Sequence, residues 1–317
     1  MQPARRITYL RLSVTDQCDM GCVYCVPHRR ALGCQGSPLS LPEIVTLVQA
    51  LAENGVTKVR LTGGEPLVRD DILDVVRAVA GVPGVETVGL TTNALRLGEL
   101  AGGLADAGLK RINISLDSLD RETFQRITGR DSLDDVIRGL HSALEAGFEQ
   151  VKINTVVMRG INDGEINRFR DLAYTLPAEV RFIELMPLGH TAERWAQLYV
   201  PAVEIRQTLG TLRPLPHDQG SSAKTYALPY GSGKVGIISP MSEHFCDECN
   251  RIRVTSSGKL RPCLRLPVEE DVRGWLEKPR LEERLQTLVA RLSSCKLSGD
   301  VPSCAAVQSE TMCAVGG

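Results

Sequence analysis

The sequence predicts an α/β fold built on a parallel sheet, and three observations predict it. From Thr8 to about Pro187, short β-rich runs alternate with amphipathic helical stretches. Such alternation builds βαβ units with right-handed crossovers. Gly55, Gly108 and Gly147 each stand just past a helical pattern, where a left-handed C-terminal cap is wanted. Several strands also carry polar residues at every second position, although a parallel strand covered on both faces should be nearly all apolar.

In chain order, the first strand covers Tyr9–Thr15, with Arg11, Ser13 and Thr15 alternating with Leu12 and Val14. An apolar helical repeat follows at Leu41–Asn54, then strand Lys58–Thr62 with Arg60 and Thr62 on one face. Asp70–Ala80 reads as helix, Thr87–Thr91 as strand and Gly98–Ala107 as helix. Arg111–Asp117 is a strand whose Asn113, Ser115 and Asp117 share a face. Helix Ser132–Ala146, strand Gln150–Val157 (with Lys152 and Asn154 together), helix Asp163–Leu176 and strand Arg181–Met186 complete the series. A closed eight-stranded barrel packs branched aliphatics inside. Here the cations, hydroxyls and amides of one face imply a wet lumen or a polar ligand, because a buried unpaired charge is costly. The expectation is an open, incomplete (β/α)6 TIM-like barrel with a polar bore; a flat doubly wound sheet with polar strand ends is the alternative.

Beyond Leu188 the pattern weakens, so the chain divides into a barrel at 1–190 and a C-terminal region at 191–317. A charged helix is expected over Glu269–Leu292, and the tail after Ser293 has little periodicity. With 43 % hydrophobic residues and 4 % aromatic, the core must be mostly aliphatic. Lys+Arg 37 against Asp+Glu 38 leaves a net charge of -1, which excludes a whole-molecule grip on nucleic acid or anionic membrane but allows a local basic pocket. No apolar run approaches the roughly 20 residues of a bilayer span, and polar residues interrupt the apolar part of the start. A cytoplasmic protein is expected.

The 10 cysteines are the anomaly. Cys18, Cys22 and Cys25 cluster just after the first strand, at the end where active sites of such folds gather. Cys246, Cys249 and Cys263 form a second triplet, while Cys34, Cys295, Cys304 and Cys313 stand apart. A structural zinc site usually takes four ligands, which His28 or Cys34 could complete for the first triplet and His244 for the second. Three thiolates also suit a [4Fe–4S] cluster with one iron left open.

The stretch Cys18-Asp19-Met20-Gly21-Cys22-Val23-Tyr24-Cys25 resembles the signature of radical S-adenosylmethionine (SAM) enzymes, and Thr62-Gly63-Gly64-Glu65-Pro66 resembles that family's GGEP motif. Alone, Gly63-Gly64 would be an ordinary turn; beside the triplet, its glycines are expected to admit the ligand's amino and carboxylate groups closely and to adopt dihedrals only Gly tolerates. The run from Phe245 to Leu264, with its second triplet, is similar to the GTP 3′,8-cyclases of molybdenum cofactor biosynthesis. That resemblance covers about Ile7–Leu266 and implies two [4Fe–4S] clusters held by the two triplets. The first would bind SAM and cleave it to a 5′-deoxyadenosyl radical, and the second would hold GTP.

By position in the motifs, Tyr24, Gly64, Ser115 and Met186 would bind SAM. Arg11, Arg60, Thr91, Lys152, Arg251, Ile252 and Arg253 would bind GTP. The resemblance further implies a one-electron reductant, a downstream cyclic pyranopterin monophosphate synthase, a homodimer, and no catalytic residue beyond the cluster and substrate ligands. The closing Gly316-Gly317 resembles the family's double-glycine terminus, which reaches the active site, whereas Arg265–Val315 departs from the family pattern. Two other readings compete: a radical SAM enzyme modifying a peptide with an auxiliary cluster, and a zinc-binding scaffold without activity.

Overall fold

The computed structural model describes residues 6–25, 37–188, 191–217, 220–231, 233–266 and 268–295. Six βα units run in chain order. β1 (Tyr9–Ser13) is followed by α1 (Leu41–Glu53), β2 (Lys58–Thr62) by α2 (Ile72–Ala80), and β3 (Thr87–Thr92) by α3 (Leu97–Asp106). β4 (Arg111–Ser115) leads to α4 (Arg121–Thr128) and α5 (Leu133–Glu145), and β5 (Gln150–Val157) to α6 (Ile166–Thr175). β6 (Glu179–Glu184) precedes α7 (Trp195–Leu198) and α8 (Ala202–Leu209). Then come β7 (Arg213–Pro214), β8 (Lys224–Ala227), β9 (Lys234–Ile238), β10 (Arg251–Val254), β11 (Lys259–Arg261), β12 (Glu270–Asp271) and α9 (Leu281–Cys295).

One twelve-stranded sheet holds them in the order β12-β11-β10-β1-β2-β3-β4-β5-β6-β9-β8-β7. β1 to β6 pair in parallel in sequence order, β9 adds in parallel to β6, and β10 adds in parallel to β1. The C-terminal region therefore extends the sheet at both edges, and β9 and β10 are not paired with each other. This is the open parallel architecture the sequence predicts.

Its two faces differ as the period-two pattern requires. Leu10, Leu12, Val59, Leu61, Ile112, Ile114, Val180 and Phe182 are buried on the face covered by helices. The neighbouring positions Arg11, Arg60, Asn113 and Lys152 line the inner face. The apolar face supplies the folding energy, at about 25 cal/mol for each Å² of apolar surface removed from water.

Gly55, Gly108 and Gly147 take positive φ values of 93°, 97° and 79°, as expected of left-handed caps. Ser40 caps α1 in a reciprocal box with Glu43, whose carboxylate also takes Arg273 in a two-pronged contact of 2.7 and 3.0 Å. That contact pins the C-terminal region onto the first helix, and α9 packs against α1.

Some expectations need correction. The predicted helix over Glu269–Leu292 is interrupted: Glu270–Asp271 pairs with β11, and α9 begins only at Leu281. Pro279 excludes helical geometry at Lys278, and Arg280 takes a positive φ of 63°, so the helix cannot start earlier. α4 escapes the periodicity reading because it is short and only Phe124 and Ile127 along it are apolar. β6 begins two residues before the predicted Arg181, at Glu179, because Glu179 pairs with Lys152 in the ladder. His28, Cys34, Cys304, Cys313 and Gly316-Gly317 lie outside the described residues, as does the side chain of Cys295. Among the described residues, no helix is long and apolar enough to cross a membrane.

Candidate active site

A cavity of about 400 Å³ occupies the inner face of the sheet. Its walls bring together Cys18, Cys22, Cys25, Tyr24, Gly64, Ser115 and Met186 with Arg11, Arg60, Thr91, Lys152, Arg251 and Arg253. Four predicted residues are not on the wall. Ile252 is fully buried on the opposite face of β10, so only its main chain is available to a ligand. Cys246, Cys249 and Cys263 are the chain neighbours of the wall residues Phe245, Asn250 and Leu264, and each is half-buried.

The first triplet is held from two sides. Gly64 N donates to Thr15 O at 2.8 Å and Glu65 N to Gln17 O at 2.7 Å, which lashes the Gly63-Gly64 loop to the chain entering Cys18. A Cβ on Gly64 would lie 2.1 Å from Gln17 O, and one on Gly63 2.4 Å from Thr15 O. Neither glycine has a positive φ. The expectation of unusual dihedrals is therefore corrected: these glycines are required by how closely the two loops approach. Gly64→Ala should displace the cysteine loop, seen as lost cluster absorbance after anaerobic reconstitution with an unchanged far-UV circular dichroism spectrum. A variant that reconstitutes like the wild type would contradict this.

Glu65 is 2 % exposed and accepts from Leu67 N (2.9 Å), Thr92 Oγ1 (2.7 Å) and Asn93 N (2.6 Å). Asn93 in turn donates to Asp19 Oδ1 at 2.7 Å, inside the first triplet. Burial raises the Glu65 carboxyl to about 7 despite these donors. On the other side, Tyr24 Oη donates to Asp117 Oδ2 at 2.6 Å, and Asp117 Oδ1 accepts from Val156 N at 2.8 Å. Burial lifts Asp117 to about 6. Burial, followed by the Asp117 and Cys18 charges, also pushes the Cys22 thiol up, so metal binding has to displace its proton.

The two triplets share a detail. Cys18 Sγ accepts from Met20 N at 3.4 Å, and Cys263 Sγ from Arg265 N at 3.4 Å. Hydrogen bonds to sulfur of this kind help set cluster potentials. Soft thiolates, with neither carboxylate nor imidazole among the predicted donors, fit iron–sulfur ligation. Among the described residues, no three His, Cys, Asp or Glu gather as around a single ion.

Between the triplets the wall is cationic. Register places Arg253, Arg11 and Arg60 side by side on β10, β1 and β2. Thr91, Asn113 and Lys152 form a second row across β3, β4 and β5. Burial, then Arg253, drives Arg11 well below its ordinary range, and burial lowers Arg253 to about 10 although Cys263 and Cys249 oppose the shift. Lys152 falls to about 8 through burial and Arg181, with Glu179 at 3.4 Å in partial compensation. Thr91 Oγ1, Asn113 Oδ1 and Asn154 Oδ1 are buried on this wall with no partner among the described residues. Crowded cations and unmatched polar atoms are the signature of a site built for a polar anion.

Tyr9 reports the same field. Burial alone would raise its phenol, yet Arg60 (with Nε donating to the phenol oxygen at 2.6 Å), Arg11 and Arg251 bring it down to about 7. Subtracting the Tyr9→Phe spectrum should reveal a phenolate absorbance change centred near pH 7, which a bound polyphosphate shifts upward. A difference titration centred near 10 would contradict the cationic wall.

Sequence reasoning put Asn113 and Asp117 on the polar face without assigning them to a ligand, and it missed Arg181 as a lining residue and Glu65 as a brace. The polar alternation of β4 carried the signal for Asn113 and Asp117; Arg181 showed only as a strand terminus.

Two family models match successive parts of the chain. The model described as "Radical SAM superfamily" matches residues 12–173, and that described as "Molybdenum Cofactor Synthesis C" matches 178–298. The GTP 3′,8-cyclase of Moorella thermoacetica is 45 % identical over 297 residues, covering 92 % of either chain. The GTP 3′,8-cyclase of Erythrobacter litoralis is 43 % identical, over 89 % of this chain and 86 % of its own. Among solved structures, Streptococcus suis SuiB bound to precursor peptide SuiA superposes with a TM-score of 0.61 at 14 % identity, over 89 % of this chain and 67 % of that one. It supports the fold alone.

Proposed function

The chain belongs to the radical SAM superfamily and, within it, to the GTP 3′,8-cyclases; from that membership we infer that it converts GTP to the 3′,8-cyclised nucleotide of molybdenum cofactor biosynthesis. The observation that carries the substrate is the row of Arg253, Arg11 and Arg60, gathered with Lys152 on one cavity wall in a protein of net charge -1. A triphosphate matches that row, since guanidinium forks pair with phosphate oxygens. A peptide has no comparable claim on it, and a zinc scaffold would leave the cations unexplained.

Cys18, Cys22 and Cys25 are the ligands of the SAM-binding [4Fe–4S] cluster in this reading, and Cys246, Cys249 and Cys263 hold a second. A reduced [4Fe–4S] centre supplies the electron for reductive cleavage of SAM. Tyr24, Gly64, Ser115 and Met186 orient SAM at the C-terminal ends of β1 to β6. Arg11, Arg60, Arg251 and Arg253, with Lys152 and Thr91, grip GTP, and the main chain at Ile252 completes that side. Desolvation inside the cavity strengthens every such contact. A one-electron donor, a downstream synthase consuming the cyclised nucleotide, a homodimer and a cytoplasmic location belong to the same proposal.

Anaerobic, reduced protein with both clusters in place should turn SAM and GTP into 5′-deoxyadenosine and a cyclised nucleotide. A preparation with both clusters verified that yields no GTP-dependent product rejects the substrate.

A further inference from the structure

The last residue of β6, Glu184, is 1 % exposed and has more polar partners than any cavity residue needs for packing. Its Oε1 accepts from Tyr199 Oη at 3.0 Å, from Ala202 N at 2.7 Å and from the Ser242 hydroxyl. Oε2 accepts from Met241 N at 2.8 Å and Ser242 N at 3.0 Å. Five donors converge on one carboxylate, a group that only accepts when ionised. They come from two separate places: the start of α8 and the loop that leaves β9.

That loop is the approach to the second triplet. β9 runs parallel to β6, so the chain after Ile238 crosses the end of β6 and reaches Cys246 within eight residues. His244 Nδ1 lies 2.8 Å from Pro240 O, Glu243 N donates to Ser239 O at 3.2 Å, and Phe245 stacks under Arg251 at 5.1 Å. The segment is braced internally, and Glu243 pairs with Arg206 of α8 and Lys224 of β8 at 2.5 and 3.0 Å, while Glu184 is the group of β6 that holds its main-chain amides. Two residues further along the same strand end stands Met186, on the wall of the first-triplet half.

We propose that Glu184 is a positioning residue that fixes the second cysteine triplet relative to the barrel, and so sets where the substrate sits against the first. It touches neither ligand. The role rests on the GTP reading for its consequence, though its structural half can be measured without GTP. Glu184→Gln keeps the size but turns an NH2 toward one of the two donor sets, so either the Met241 and Ser242 amides or the α8 end loses its acceptor.

The test has two arms on the full chain. In hydrogen–deuterium exchange of metal-free protein, Glu184→Gln should raise exchange at least 10-fold over residues 239–249 while strands β1 to β5 exchange as in the wild type. In anaerobically reconstituted protein, it should raise the KM for GTP at least 10-fold and leave GTP-independent SAM cleavage within twofold. Glu184→Asp should recover part of both effects. Unchanged exchange over 239–249 overturns the proposal, and so does uniformly raised exchange with parallel loss of both activities. If Glu184→Gln does not fold, Ser242→Ala, which removes one donor, must show the same local exchange in smaller degree, or the proposal fails. Failure of the GTP reading shows separately, as wild-type protein that does not turn GTP over while the exchange result stands.

Discussion

Arg253→Ala is expected to weaken GTP binding roughly 10- to 150-fold, equivalent to about 1.5–3 kcal/mol for a hydrogen bond to a charged group. GTP-independent cleavage of SAM should remain measurable. Arg253 is half-buried at the end of the Arg253–Arg11–Arg60 row, on the side of Cys249 and Cys263. Its own charge is disfavoured there by burial and by Arg251, so the apo cavity is strained electrostatically and a polyphosphate relieves it. The same argument gives a sign for salt: affinity should fall as ionic strength rises, less steeply in Arg253→Ala because one phosphate contact is gone. Isothermal titration with GTP at two salt concentrations checks both. An Arg253→Ala protein that binds GTP as tightly as the wild type, or that loses both clusters, contradicts the assignment.

Cys22→Ser has a larger expected effect and acts earlier. The hydroxyl of serine is a harder and weaker donor to iron than thiolate, and Cys22 is the middle cysteine of a loop braced on both sides. One brace is the Gly63-Gly64 contact with Thr15 and Gln17, and the other is the Tyr24–Asp117 pair. Formation of 5′-deoxyadenosine should drop below detection, while GTP binding at the second site persists. Reductive SAM cleavage at more than a few per cent of wild-type rate would refute the role of the first triplet.

Much of this arrangement was legible in the chain itself, for reasons that differ by element. The six βα units showed because helix and strand periods differ and glycines close three of the helices; Lys58–Thr62 and Gln150–Val157 have the predicted bounds. Polar alternation announced the lined cavity, since Arg11, Arg60 and Lys152 recur at inward positions of neighbouring strands. The placement of β9 and β10 at opposite edges of the sheet was not legible, because short strands carry no record of which edge they will join. Nor were the Glu65 and Glu184 networks. A buried carboxylate looks like a surface one in sequence, and only the fold brings Asn93 to Glu65 or Ser242 to Glu184. Ile252, a position in register with the family, has its side chain in the core.

In the proposed reaction the two thiol triplets flank one cationic cavity, and a radical made at the first reaches the ribose of a nucleotide held at the second. Incubating reduced, two-cluster protein with SAM and GTP deuterated at the ribose 3′ carbon tests this most directly. One deuterium is expected in 5′-deoxyadenosine for each nucleotide cyclised. Deoxyadenosine that carries no deuterium, formed at a rate indifferent to GTP, would contradict it.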